Sequence, residues 1–304
     1  MRVAITGSHG LIGSALVTHL LGQGDEVIRV VRGVPDDGEI GSDPAAGTVD
    51  PASWRGIDAV VNLAGAGIGD HRWSPAYKEA IRQSRVRRTE ALASSMAQAV
   101  DPPSVLLSGS AVGYYGPAAD AEQTEESPSG SGFLADVCAS WERATAAAGT
   151  AGIRVVHLRM GIVLSASGGA LGKQLPLFRL GLGARLGRGH QVMSWICRPD
   201  AVRAVRFLLA QDTISGPVNV TAPAPVSNSE FVRALGRALH RPAWIAVPSA
   251  VIRLAAGSEM AGEFFLASQN VVPDRLTASG FVFEEKTIDG GVRVALGDQT
   301  TASA

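Results

Sequence analysis

A doubly wound α/β fold, with a parallel sheet covered on both faces and a smaller C-terminal lobe, is predicted by three observations. Short apolar runs recur at 3–5, 26–31, 58–65, 104–107, 153–158 and 217–221, each separated by a helical or turn-rich stretch. Near-continuous apolar runs of that length are the mark of strands buried on both faces. The first run ends in a glycine turn, Gly7-Ser8-His9-Gly10-Leu11-Ile12-Gly13, and passes straight into a segment with Leu11, Ile12, Ala15, Leu16 and Leu20 at helical spacing. Beyond Arg159 the texture changes to a Gly/Leu-rich stretch, 161–191, carrying Lys173, Arg179, Arg185 and Arg188. That stretch reads as a departure from the main sheet.

Taken in order, the first helix stops at Gly22 and Gly24, and a second strand, 26–31, ends at Arg32. Residues 33–56 are polar and turn-rich and read as a connection across the sheet edge. The strand at 58–65 closes on the small residues Leu63-Ala64-Gly65, which suit a backbone packed against a cofactor or a tight turn. A polar loop with His71, Arg72 and Trp73 follows, read as a lid or as an ordinary exposed loop. Ser74-Pro75 then opens a long helix to about residue 100 as N-cap and first-turn proline. The strand at 104–107 runs into Ser108-Gly109-Ser110-Ala111-Val112-Gly113-Tyr114-Tyr115-Gly116. After an acidic loop, 117–131, come a helix at 132–148 and a strand at 153–158. Pro199-Asp200 starts a helix to about 210, a strand follows at 217–221, and 229–239 is helical. The predicted sheet domain takes 1–160 plus 190–222, and the substrate lobe 161–189 plus 223–304.

Composition narrows the function classes. With 304 residues, 46% of them hydrophobic, the chain can bury a large core. A net charge of −1 without a dense basic cluster argues against nucleic acid or an anionic membrane as partner. Two cysteines imply no disulfide framework, and no His/Cys/Asp/Glu group has metal-ligand spacing. No apolar run reaches the length of a membrane span, and no signal-peptide pattern opens the chain, so a cytoplasmic location is expected.

The glycine turn carries the functional reading. In G-x-x-G-x-x-G between a strand and a helix, Gly7 permits the tight turn and Gly10 lets the backbone approach a pyrophosphate. Gly13 lets the helix lie close to the strand, and the helix start offers N–H groups to the diphosphate. Ser8, His9, Leu11 and Ile12 complete that dinucleotide-binding element. At the end of the second strand an acidic residue would bind a ribose 2′-hydroxyl, whereas Arg32 suits the 2′-phosphate of NADP(H). Arg29 points to the other face of the strand and is the weaker candidate. Leu63, Ala64, Gly65 and Ser108, at the carboxyl ends of neighbouring strands, are expected to line the same cofactor site.

These segments, taken together, resemble the extended short-chain dehydrogenase/reductases, and more narrowly an atypical NAD(P)-dependent epimerase/dehydratase subgroup with its own C-terminal domain. The likeness rests on Val61-Asn62-Leu63-Ala64-Gly65, Arg72-Trp73, Ser84-Arg85-Val86 and Ser110-Ala111-Val112-Gly113-Tyr114-Tyr115-Gly116. Phe133-Leu134-Ala135, Val137-Cys138, Trp141-Glu142, Arg179-Leu180-Gly181-Leu182-Gly183, Ser194-Trp195-Ile196, Thr221-Ala222-Pro223-Ala224-Pro225-Val226 and Gly280-Phe281 extend it over nearly the whole chain. The resemblance implies a Rossmann domain, NADP(H), a small-molecule substrate, and a homodimer formed through the two long helices. It also implies a Tyr-x-x-x-Lys pair, which counting excludes. The tyrosines are Tyr77, Tyr114 and Tyr115, and none has a lysine four residues on. Leu134 and Cys138 occupy the apparent Tyr and Lys places, as the narrower subgroup also lacks the pair. Cys197-Arg198 departs from the subgroup's more usual His and acidic residue.

Candidate replacements follow from position. Ser110 sits where the family places a hydroxyl that bonds the substrate oxygen, or it caps the strand end. Tyr114 or Tyr115 would supply a phenol or an aromatic wall. Cys138 would touch the nicotinamide or serve as a small apolar filler. Two functions are carried forward. One is an NADP(H)-dependent oxidoreductase or epimerase acting on a small polar substrate. The other is a non-catalytic NADP(H)-binding redox sensor.

Overall fold

The computed structural model describes residues 1–43, 45 and 47–297 and divides into two compact units. The first comprises Met1–Ala111, Asp136–Arg159 and Val202–Val218. The second comprises Val112–Ala135, Met160–Ala201 and Asn219–Ala304.

The first unit is built on a seven-stranded sheet. Its strands are β1 (Arg2–Thr6), β2 (Glu26–Arg32), β3 (Glu39–Ser42), β4 (Ala59–Asn62), β5 (Val105–Ala111), β6 (Arg154–Met160) and β7 (Gly216–Val220). Their order is β7-β6-β5-β4-β1-β2-β3, and the registers Ile5↔Arg29, Ile5↔Val61 and Val61↔Leu107 are parallel. The order reverses after β1, the switch point where such sheets open a crevice at their carboxyl ends. Ala4, Ile28, Val30, Val60 and Leu106 of one sheet face are buried against Trp54, Leu92, Ala93 and Met96. The indole N–H of Trp54 donates to Ser95 Oγ at 2.8 Å, and that hydroxyl donates to Val49 O at 2.6 Å.

Residues 33–56, expected as a bare connection, supply the edge strand β3, which pairs with β2 from Arg29↔Glu39 to Arg32↔Ser42. Four residues with one apolar side chain, Ile40, are too few to show alternation, yet Ile40 is buried in the core. Helix α1 (Leu11–Gly22) follows the glycine turn, and α2 (Pro75–Ala97) starts as predicted, with Ser74 Oγ accepting the Tyr77 N–H. The helix expected at 132–148 is α3 (Phe133–Arg143) followed by a separate turn of helix, Ala146–Thr150. At the break the Thr145 hydroxyl donates back to Glu142 O at 2.7 Å, a local bond that competes with helix continuation.

The second unit joins short two-stranded pairs to helices. Ser268–Val271 pairs with Ala118–Gln123 inside the loop expected at 117–131, Trp195–Cys197 with Ile162–Leu164, and Ile245–Val247 with Ala184–Leu186. Its core gathers Leu164, Leu171, Phe178, Trp195, Phe231, Leu235 and Val292. Helix Asn228–Leu239 begins with a capping box in which Ser227 and Glu230 bond each other's backbone N–H. Residues 112–135 and 190–201, grouped by sequence with the sheet domain, fall in this unit. Val112 and Tyr115 pack on Val271, and Ser194 Oγ accepts the Val271 N–H at 2.8 Å. Among the described residues no helix is long and apolar enough to cross a membrane.

Candidate functional site

The glycine turn is held against its neighbours by backbone contact. Gly7 has φ +68°, and a Cβ there would stand 2.9 Å from the Ala64 nitrogen and the Leu63 carbonyl carbon. A Cβ on Gly13 would stand 2.1 Å from Gly7 O, so α1 lies on the turn with no room for a side chain. Gly10 N–H donates to Gly7 O at 2.9 Å, and Ser8 is buried. Helix α1 has no side-chain cap and no acidic residue in its first turn, unlike the closed capping box at Ser227. Its leading N–H groups and the positive end of its dipole therefore remain suited to an anion.

Thr6 fixes the exit of β4 beside this turn. Its Oγ1 accepts the Leu63 and Ala64 N–H groups at 3.2 Å each and donates to Asn62 Oδ1 at 2.7 Å. Asn62 Nδ2 donates to Thr89 Oγ1 at 2.8 Å and to Ser108 Oγ at 3.4 Å, and Trp141 Nε1 donates to Thr89 Oγ1 at 2.9 Å. A polar chain thus runs from β1 through β4 and α2 to α3. The loop after β4 is pinned from α2. Ser84 Oγ accepts the Ala66 N–H, Arg85 Nη2 donates to Ala66 O at 2.9 Å, and the Tyr77 hydroxyl donates to Gly67 O. Within that loop Trp73 donates to Ile68 O, and His71 packs edge-on against Tyr77.

At the end of β5 the Ser110 hydroxyl donates to Glu142 Oε1 at 2.7 Å. Glu142 is clamped in turn by Arg159, Nε to Oε1 at 2.8 Å and Nη2 to Oε2 at 2.9 Å. His157 Nδ1 lies 3.9 Å from Glu142 Oε2, and its Nε2 is 2.9 Å from Thr145 Oγ1. Burial pulls the His157 pKa below 6.5, with Glu142 opposing and Arg159 reinforcing the shift. The unfolded chain then binds more protons than the native state just below that value, so stability must rise with pH there. His157→Gln is expected to flatten the dependence of the urea midpoint on pH just below 6.5. An unchanged slope would remove His157 as its source.

Residues 3–221 of the chain match the NAD dependent epimerase/dehydratase family, the span that contains this whole constellation. The chain belongs to that family. Residues 247–296 match a second family, a domain of unknown function designated DUF1731. An epimerase family protein of Mycobacterium tuberculosis is 47% identical over 300 residues, 98% of this chain and 97% of the relative. The human epimerase family protein SDR39U1 is 37% identical over 286 residues, 93% of this chain and 95% of its own. A crystal structure of human SDR39U1 (isoform 2) with NADPH superposes with TM-score 0.89 at 35% identity, covering 97% of this chain and 99% of that one.

Within this family member, the surroundings of the other sequence candidates are as follows. The Tyr115 hydroxyl donates to Asn219 Oδ1 at 2.7 Å and its ring is buried. Tyr114 is half-buried and meets the Tyr115 ring edge-on. Cys138 is buried, and burial together with Glu142 pushes its thiol up to about 12, which fits a small filler and not a reactive group. The Cys197 thiol is likewise pushed up to about 12 by burial and donates to Asp200 Oδ2. Ser108 has no exposed surface and accepts from Asn62.

Arg32 is exposed at the end of β2, whereas Arg29, set aside on strand alternation, brings Nη1 to 3.1 Å from His9 Nε2 in the glycine turn. Sequence reasoning also passed over Glu142, Arg159 and Arg85 as site residues. Trp141-Glu142 and Ser84-Arg85 were visible as shared motifs, but their partners lie tens of residues away.

Proposed function

We propose that this family member binds NADP(H) and acts as an oxidoreductase or epimerase on a small polar substrate. The observation that carries the reading is the turn itself. Gly7 and Gly13 leave no space for a Cβ, and α1 presents an uncapped N-terminus beside Ser8 and His9. Those features fit a diphosphate lying on backbone amides. The NADPH seen with human SDR39U1 supports the choice of nucleotide.

In this reading the N–H groups at the start of α1 hold the diphosphate, and Leu63, Ala64 and Gly65 offer backbone to the same ligand. Arg32 pairs with the 2′-phosphate, with Arg29 and His9 adjacent. The bound nucleotide supplies a hydride acceptor or donor. Ser110 orients the substrate oxygen: with its proton given to Glu142, its oxygen accepts from a substrate hydroxyl. Tyr114 is the phenol assigned to proton transfer.

Two measurements test this. Titration with NADPH and NADH should show a preference for NADPH, and Arg32→Ala should reduce that preference about 10–100-fold, the loss of a charge-assisted contact. Single-turnover oxidation of bound NADPH across a panel of carbonyl compounds should then find a substrate. Tight nucleotide binding without hydride transfer to any of them would favour the redox sensor instead.

A further inference from the structure

Arg85 lies within the first unit, on α2, and is only 8% exposed. Its guanidinium donates to Ala66 O, to Ile81 O at 3.3 Å and to Ser84 Oγ at 3.4 Å. Among the described residues it forms no ion pair with a carboxylate. Burying a cation without a counter-charge is costly, and here carbonyl oxygens and an aromatic face are its support: the Arg85 Cζ stands 5.2 Å from the Trp141 ring centroid. A Cβ built on Gly65 would stand 3.2 Å from that same Cζ, so the charge lies directly under the backbone after β4. Burial lowers the Arg85 pKa, but a guanidinium remains cationic at neutral pH.

Its surroundings on α3 are specific. Trp141 and Cys138 are three residues apart and share a helix face. The Cys138 thiol is within electrostatic range of Arg85. The residue at 138 is a neutral thiol, while the cation arrives from α2.

We propose that Arg85 is the fixed positive charge of the candidate site, delivered from α2 to the place beside position 138 that α3 leaves uncharged. It acts as a positioning residue through two effects. Its fork holds the Ala66 carbonyl beneath Gly65, and its charge biases the site toward the more electron-rich of two otherwise similar ligands. For a nicotinamide nucleotide that means the neutral reduced ring over the cationic oxidised ring. This inference rests on the nucleotide-binding reading above.

The test is the ratio of dissociation constants for NADP+ and NADPH, measured by calorimetry on the full chain and on Arg85→Lys, Arg85→Gln and Arg85→Met. Arg85→Lys keeps the charge and should keep the ratio while weakening both nucleotides. Arg85→Met and Arg85→Gln remove the charge and should shift the ratio about tenfold in favour of NADP+, an effect that loss of packing alone does not produce. The two neutral variants differ in shape, so one folded variant of the pair, checked by its thermal melt, decides the question. Equal weakening of both nucleotides in a folded neutral variant overturns the proposal and leaves Arg85 as packing. Failure of the unaltered chain to bind either nucleotide would instead overturn the nucleotide-binding reading itself.

Discussion

Arg159→Met is expected to destabilise the protein by about 3–5 kcal/mol, because it strands a buried carboxylate. The side chains of Arg159 and Glu142 are 3% and 11% exposed, and the guanidinium donates to both carboxylate oxygens. With the cation gone, Glu142 retains Ser110 as a donor and His157 at 3.9 Å, which is too little to offset its desolvation. The native state should respond by admitting water, which frees the Ser110 hydroxyl from the position that the pair enforces. Removing both charges in Glu142→Leu/Arg159→Met should recover at least half of the loss, since an apolar pair avoids the unpaired charge. Chemical denaturation of the two variants measures both effects. A loss below about 1 kcal/mol for the single variant would mean that the pair is solvated like a surface bridge.

That pair also shows where the sequence stops being readable. The apolar runs gave the strands of the main sheet because burial on both faces writes itself into consecutive residues. Ser74-Pro75 and the glycine turn gave their helices because caps and positive-φ turns are local chemistry. Strand β3 and the short segment Ala118–Gln123 did not announce themselves. Each owes its existence to a partner strand and not to its own pattern. The site was half visible for the same reason. Gly7, Gly10 and Gly13 are neighbours in the chain, whereas Ser110, Glu142 and Arg159 meet across 32 and 17 residues. Arg29 illustrates a subtler limit. Alternation along β2 sets Arg29 apart from Arg32, but it says nothing of the turn residue His9, whose Nε2 lies 3.1 Å from Arg29 Nη1.

Gly13→Ala tests the turn with a substitution that ordinary helix energetics would favour. In an open helix interior, alanine in place of glycine stabilises by roughly 0.5–1 kcal/mol. At position 13 the added methyl would meet Gly7 O at 2.1 Å and the Gly7 carbonyl carbon at 2.9 Å, both backbone atoms that cannot rotate away. The strain must be relieved by lifting α1 from the turn or by opening the turn, and either movement spoils the array of amides proposed to hold the diphosphate. Nucleotide affinity should fall about 5–150-fold, the range that a 1–3 kcal/mol overpacking cost implies, and thermal stability should fall with it. Gly22→Ala is the matched control in the same helix. A Cβ there meets nothing within 4 Å, so stability should hold or rise with binding unchanged. If Gly13→Ala bound NADPH as tightly as the unaltered chain, close packing of α1 on the turn would not be what shapes the site.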